Sequence, residues 1–186
     1  MIQSRSVAVT WVRPAPAWAQ WPAPQAYTVY STSGGAPGIG PGPGNQPNGV
    51  YQVITRFTAP VSGVYTWTLA ADDGAAAWLD GQLLGTATFA SGRQGGTVSV
   101  SQGSHWLWVT VTNNSLGSPA IVGYGTGSPN PTGVAVTLTD PSGQTVVSTA
   151  SAQGWHYSGY LTNVAAGTVL TAVAGPPGTG SGFIPV

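Results

Sequence analysis

Three of the four acidic residues of this chain lie within nine positions, and their chemistry is the most specific that the sequence offers. Asp72 and Asp73 precede a glycine, and so does Asp80. Aspartate before glycine is typical of turns, because the carboxylate caps loop backbone and tolerates unusual backbone angles. Adjacent carboxylates beside loop carbonyls also suit a hard cation such as calcium. Two interpretations of this cluster are therefore open, a turn or a calcium site.

Residues for other kinds of chemistry are scarce. The chain has two histidines, His105 and His156, and it has no cysteine, lysine or glutamate. Histidines beside aromatic residues in strands are usually structural, and the sequence has neither a Gly-x-Ser-x-Gly elbow nor a glycine loop with a phosphate-binding lysine. We therefore expect no catalytic residue and no enzymatic activity.

Charge is nearly absent from the composition. Charged residues make up 4% of the 186 positions, whereas a typical domain has about 25%. Four scattered arginines cannot form the basic patch that nucleic acids require. The apolar runs are of strand length and broken by polar residues, so we expect no membrane insertion. So little charge favours a protein whose surface is covered by neighbours in an assembly.

The elements that position the aspartates are short alternating strands. No window has the periodicity of a helix, and Asp80-Gly81 is a typical hairpin dipeptide. Runs rich in valine, threonine and aromatic residues recur every 8–12 residues with turn residues between them, which predicts an all-β antiparallel sandwich or jelly roll. The clearest runs are residues 51–57, 64–69, 105–112 and 133–139.

Composition divides the chain into three segments. We predict an extended arm rich in proline, glycine and tryptophan at residues 1–47, a β-sandwich at residues 48–174, and a short tail rich in glycine and proline at residues 175–186. The alternating prolines of the arm exclude a helix and favour extended backbone. The first residues contain no apolar stretch of about 7–15 residues, so we expect no signal peptide and synthesis in the cytoplasm.

The arm cannot bury its own aromatic side chains. Trp11, Trp18 and Trp21 therefore either pack back on the domain or dock on a partner subunit, since aromatic anchors are enriched at protein interfaces. Phe183 and Ile184 at the end of the tail are a second candidate for contacts between subunits.

The region around the aspartates resembles a known family. Residues 57–81 read FTAPVSGVYTWTLAADDGAAAWLDG, and residues 103–114 read GSHWLWVTVTNN. The first segment resembles the core signature of PA14-like domains, and the second resembles the strand that follows it in that family. The resemblance covers residues 50–123 and implies a jelly-roll β-sandwich.

This resemblance also implies a binding site. In the carbohydrate-binding members of the family, the Asp-Asp turn holds a calcium ion that ligates sugar hydroxyls. The resemblance thus implies Asp72 and Asp73 as metal ligands, with Asn113 and Asn114 as further contributors to glycan binding. Other members use the domain as a structural module without calcium, so the alternatives are a calcium ion or no cofactor.

A second resemblance concerns the context in which the domain works. Residues 130–149 read NPTGVAVTLTDPSGQTVVST and lead to Trp155; they resemble a β-hairpin segment that recurs in bacteriophage tail and virion proteins. This implies a structural component of a bacteriophage tail, fibre or head surface, assembled in the host cytoplasm with copies of itself and other virion proteins. The alternative is a calcium-dependent carbohydrate-binding module that attaches to a host-surface glycan.

Overall fold

The structure is a computed structural model, and it describes residues 21–44, 46, 49–113 and 131–158. The described residues contain strands and no helix, so they also contain no helix long and apolar enough to cross a membrane. The strands are β1 (Gln25–Ser31), β2 (Gly34–Gly40), β3 (Gly49–Ala59), β4 (Gly63–Asp72), β5 (Gly74–Leu79), β6 (Gln82–Thr88), β7 (Gln94–Val100), β8 (Gly103–Asn113), β9 (Gly133–Thr139), β10 (Thr145–Ser148) and β11 (Trp155–Tyr157).

The strands form two antiparallel sheets. One sheet has six strands in the order β1-β2-β9-β4-β7, with β10 also paired to β9. The other has five strands in the order β11-β3-β8-β5-β6. Side chains from both sheets form one continuous core. The fold is therefore an all-β antiparallel sandwich, which confirms the fold class that the alternating sequence pattern predicts.

The core follows from the period-two pattern of the central strands. On β4, Tyr65, Trp67 and Leu69 point inward, and on β8, Leu107 and Val109 do so. Alternate residues of a strand point to opposite faces, so these inward positions meet between the sheets. Trp67 fits because two facing positions are glycines. A Cβ on Gly85 would come within 2.6 Å, and one on Gly96 within 2.9 Å, of its indole ring.

Part of the predicted arm belongs to the sandwich. Residues 25–40, inside the range 1–47, form the hairpin of β1 and β2, and β2 pairs with β9 through Ile39 and Val134. The run from Gly34 to Gly40 is poor in residues that favour strands. Pairing with β1 along seven residue pairs holds it in the sheet. Trp11 and Trp18, as well as the tail, lie outside the described residues.

The Asp80-Gly81 hairpin has the predicted geometry. Both residues have positive φ, 47° at Asp80 and 95° at Gly81. This is the backbone that a two-residue turn between twisted strands requires. The turn connects β5 to β6, and it lies at the opposite end of β5 from Asp72 and Asp73.

Candidate functional site

The Asp-Asp turn connects the two sheets at one end of the sandwich. β4 ends at Asp72 in the six-stranded sheet, and β5 begins at Gly74 in the five-stranded sheet. Asp72 pairs with Gly133 of β9, and Gly74 pairs with Thr112 of β8. The Asp72–Asp73 peptide bond is cis. Four strand ends, from β4, β5, β8 and β9, therefore meet at this turn.

Hydrogen bonds fix the backbone of the turn. Thr132 Oγ1 donates to the Asp72 carbonyl at 2.8 Å, and the Phe89 backbone N–H donates to the Asp73 carbonyl at 2.7 Å. The Tyr27 hydroxyl in turn donates to the Thr132 carbonyl. Because both carbonyls of the turn already accept hydrogen bonds, the two carboxyl groups are its main candidates for binding a cation.

The carboxyl group of Asp72 is in an unfavourable place for a negative charge. Its side chain is 3% exposed. Burial, followed by the charge of Asp73 and a hydrogen bond with the Asp73 side chain, raises the pKa of Asp72 to about 7. Two carboxyl groups this close hold a proton between them, or they hold a cation that neutralises both.

Asn113 lies beside the turn. The ladder between β5 and β8 ends at the pair Gly74–Thr112, so Asn113, the next residue of β8, lies at the same end of the sandwich as the turn. Asn113 is fully buried, and its Nδ2 donates to the Gln46 carbonyl at 3.2 Å. The structure therefore places three of the four residues predicted for glycan binding at the same end of the sandwich; the fourth, Asn114, lies outside the described residues.

Asp80 belongs to a different site. β5 separates it from Asp72 and Asp73, and its six residues correspond to about 20 Å. Asp80 Oδ2 lies 2.5 Å from His105 Nδ1, and Asp80 Oδ1 accepts from the Trp106 backbone N–H at 2.9 Å. His105 Nε2 donates to the Ser101 carbonyl at 2.7 Å. This arrangement holds the β5–β6 turn against β8, so Asp80 and His105 have structural roles.

We expect the Asp80→Asn substitution to destabilise the fold by about 1–2 kcal/mol, because it removes the charged partner of a buried histidine. Urea denaturation followed by tryptophan fluorescence measures this loss. Asp80→Asn combined with His105→Gln should cost less than the sum of the single substitutions. Additive costs would contradict the pairing of the two side chains.

Trp21 is the only predicted assembly contact within the described residues. Its carbonyl accepts from His156 Nδ1 at 3.1 Å, and the Pro22 carbonyl accepts from the Tyr157 backbone N–H at 2.8 Å. Residues 21 and 22 therefore lie along the edge strand β11 of their own domain. Phe183 and Ile184 lie outside the described residues, so their role stays a prediction.

The donor set at the turn fits calcium in kind. Within residues 21–44, 46, 49–113 and 131–158, no three His, Cys, Asp or Glu side chains cluster as a metal site would require. Two carboxylates and an amide are oxygen donors, which calcium prefers, but it takes six to eight oxygens. Water and ligand hydroxyls would have to complete the shell. Transition metals, which favour imidazole and thiolate, do not fit.

The supporting residues around the turn carry no sequence signal. Tyr27 and Thr132 are 105 positions apart and do not belong to a recognisable motif. Phe89 contacts the turn only through its backbone N–H. Only the pairing of β1, β2 and β9 brings the first two to Asp72. The Asp-Asp-Gly pattern was therefore sufficient to find the turn but not the residues that fix it.

No protein-family model and no curated protein matches this chain. Among solved structures, it is similar to the Pleurotus ostreatus lectin in its apo form, with 14% identity and a TM-score of 0.48 over 73% of this chain and 38% of that one. The same lectin in complex with GalNAc gives 17% identity and a TM-score of 0.47 over 73% of this chain and 39% of that one. The chain is also similar to the Streptomyces avermitilis alpha-L-rhamnosidase complexed with L-rhamnose, with 14% identity and a TM-score of 0.44 over 81% of this chain and 14% of that one. The chain thus spans less than two fifths of the length of each of these structures.

Proposed function

We propose that this protein is a calcium-dependent carbohydrate-binding module that attaches to a surface glycan. One observation carries the proposal, namely the two adjacent aspartates, of which Asp72 is buried, at a turn where four strand ends meet. A cation relieves the repulsion between two such groups. Asn113, on the neighbouring strand, adds an amide to the same end of the sandwich.

The residues of the chain have distinct tasks in this proposal. Asp72 and Asp73 hold the calcium ion, and Thr132 and the Phe89 N–H keep their backbone in place. When bound, calcium supplies positive charge and open coordination positions that sugar hydroxyls can take. Asn113 is fully buried, so its task is to contribute an amide oxygen to the ion.

We expect the Asp73→Asn substitution to abolish retention on glycans. A glycan array probed with the full chain should give signal in calcium and none with a chelator. Asp73→Asn should lower retention at least about 100-fold, because it removes a direct ligand, whereas loss of indirect supporting groups costs about 10–100-fold.

Asp140→Asn is the matched control, because Asp140 follows β9 at the end of the sandwich opposite to Asp72. It should keep full retention. Thermal unfolding of both variants separates loss of binding from loss of fold. Retention that is unchanged in Asp73→Asn, or that is insensitive to chelator, would contradict calcium-dependent binding.

The second candidate function is a structural component of a bacteriophage particle that assembles with copies of itself and other virion proteins. The low charge of the surface favours it. Of the described aspartates, Asp72 and Asp140 are buried, which leaves polar uncharged residues to cover much of the surface. Such a surface lacks the electrostatic repulsion that keeps proteins apart. The two functions are compatible if the particle displays the glycan-binding end outward.

We expect deletion of residues 1–20 to leave a folded domain that no longer enters particles, if the arm is the assembly element. The deletion must stop there, because removing residues 1–47 would also remove β1 and β2. Incorporation is measured by mass spectrometry of purified particles, with the full chain as the control. Normal incorporation of the shortened chain would contradict assembly through the arm.

A further inference from the structure

An arginine and a tryptophan lie side by side on the outer face of the five-stranded sheet. Arg56 of β3 pairs with Trp106 of β8 in the ladder, and Phe57 and Leu107, which follow them in their strands, belong to the core. Alternate residues of a strand point to opposite faces, and residues paired across a ladder share a face. Arg56 is exposed and Trp106 is half-buried. Both side chains therefore point away from the core and reach the surface.

Two contacts hold the guanidinium group of Arg56 in place. Its Cζ lies 5.5 Å from the centroid of the Trp106 ring, and its Nε donates to Ser104 Oγ at 2.6 Å. The ring contact uses the face of the guanidinium plane, and the hydrogen bond uses one of its edges. A long side chain that is already held in this way loses less conformational freedom when it binds a ligand. Arg56 is thus preorganised for binding.

The terminal nitrogens of Arg56, Nη1 and Nη2, are left for a ligand. Among the described residues, Arg56 makes no ion pair, and its guanidinium donates a hydrogen bond to Ser104 alone. The carboxylate of Asp80, beside Trp106, is engaged by His105 and by the Trp106 backbone N–H. The outer edge of a guanidinium presents N–H groups that match two oxygens of a carboxylate or a sulfate. Arg56 is therefore suited to bind an oxyanion.

Hydroxyl groups flank the arginine on the same face. Thr58 of β3 pairs with Ser104 of β8, and both side chains are exposed. Because Ser104 Oγ accepts from Arg56, its own O–H can donate to a bound group. An acidic sugar combines a charged group, several hydroxyls and apolar C–H surface, so it has a complement for the arginine, for both hydroxyls and for the tryptophan. A peptide carboxylate would use the arginine only.

We propose that Arg56, with Trp106, Ser104 and Thr58, binds the acidic group of a sugar, either a carboxylate or a sulfate. The site is separate from the Asp-Asp turn, because Trp106 bonds to Asp80 at the opposite end of β5. The choice of a sugar rests on the proposed function, and the site deepens it by naming an acidic glycan as the ligand. A single arginine binds weakly, so this site adds selectivity to glycan retention and does not replace calcium.

Titration of the full chain with D-glucuronate in the presence of chelator tests the site. Two-dimensional NMR spectra report it through the Arg56 Nε–H and the Trp106 indole N–H signals. We expect both signals to shift and to saturate at millimolar glucuronate, whereas glucose leaves them in place. A sulfated glucose, titrated in the same way, shows which acidic group is preferred. Absence of a shift with both acidic sugars would overturn the proposal, and equal affinity for acetate would overturn the choice of a sugar.

Arg56→Lys separates a guanidinium fork from a simple charge. The variant keeps the positive charge and loses the paired N–H groups, so its affinity for glucuronate should fall at least about tenfold. Arg93→Gln is the control, because Arg93 is also exposed but lies between β6 and β7. It should bind glucuronate as the parent does. Equal losses in the two variants would indicate general attraction by charge and would overturn the site.

The outcome does not depend on the calcium site. Because chelator is present throughout, Asp73→Asn should bind glucuronate as tightly as the parent. Failure of calcium-dependent retention would contradict the proposed function and leave this titration unchanged. Conversely, calcium-dependent retention of neutral glycans without any response of Arg56 to acidic sugars would contradict this site alone.

Discussion

Asp72→Asn should stabilise the calcium-free protein at pH 8 by about 2–4 kcal/mol and at the same time weaken calcium binding at least about 100-fold. The folded-state pKa of Asp72 is raised from 3.8 to about 7. A raised pKa means that the protonated group stabilises the fold fully below about pH 4, and that this stability is lost as the pH rises to about 7. Asparagine has no charge to bury, so the stability of the variant should not fall with the ionisation of residue 72 as the pH rises.

The pH dependence separates this cause from others. Between pH 4 and pH 7 in chelator, the difference in unfolding free energy between the variant and the parent should grow from near zero to its full value. The titrating groups outside the turn are common to both proteins, so the difference reports the titration of the Asp72–Asp73 pair. Urea denaturation at each pH measures it. A variant that is less stable than the parent at pH 8 would contradict the electrostatic account of the turn.

Calcium should reduce the difference in stability between the two proteins at pH 8. The ion competes with the proton on Asp72, so its affinity should fall by up to about tenfold for each unit below pH 7. At about 100 times the dissociation constant, calcium should stabilise the parent by about 2.7 kcal/mol and leave Asp72→Asn unchanged. Equal stabilisation of both proteins would place the ion elsewhere.

Leu138→Ala should destabilise the protein by about 3–4 kcal/mol. Leu138 is fully buried on β9 and pairs with Trp67 of β4, a strand in the middle of its sheet. Truncation removes apolar contacts and leaves a cavity that the rigid strands cannot close. Guanidinium denaturation measures the loss as a lower midpoint with an unchanged slope.

Leu83→Ala is the matched control for this substitution. Leu83 lies on β6 and is 47% exposed, so the same truncation there should cost less than about 1 kcal/mol. The contrast depends only on burial, because the chemical change is identical. Similar losses at both positions would contradict the placement of Leu138 in the core.

The strands of the sandwich were predictable because the alternation of apolar and polar residues along each strand indicates which side chains face the core. The run from Gly63 to Asp72 alternates between inward and outward residues, and so does the run from Gly103 to Asn113. A period of two is a property of the strand itself, so it can be read without knowing the partner strand. The hairpin at Asp80-Gly81 was predictable for a related reason, since its positive φ angles restrict the residue types.

The strand from Gly34 to Gly40 could not be predicted in the same way. Its glycines and proline carry no alternation, and their intrinsic preference is against a strand. The pairing with β1 and the contact with β9 hold it in the sheet. Contacts of this kind depend on the whole fold, so a local pattern does not contain them.

The positions of the aspartates were predictable from the sequence only in part. Spacing alone grouped Asp80 with Asp72 and Asp73, but extended β5 places Asp80 at the other end of the sandwich, where it pairs with His105. The residue that does approach the turn, Asn113, is 40 positions further along the chain than Asp73. The register of β5 on β8 brings it there.

By itself, the sequence determined the all-β class, most strand positions and the Asp-Asp-Gly turn, because these depend on neighbouring residues and on backbone angles that few residue types adopt. Only the tertiary structure decided which residues surround the turn and how strongly its carboxyl groups interact. The physical reason is that burial and electrostatic repulsion depend on groups far apart in the chain, which meet only when the two sheets have formed.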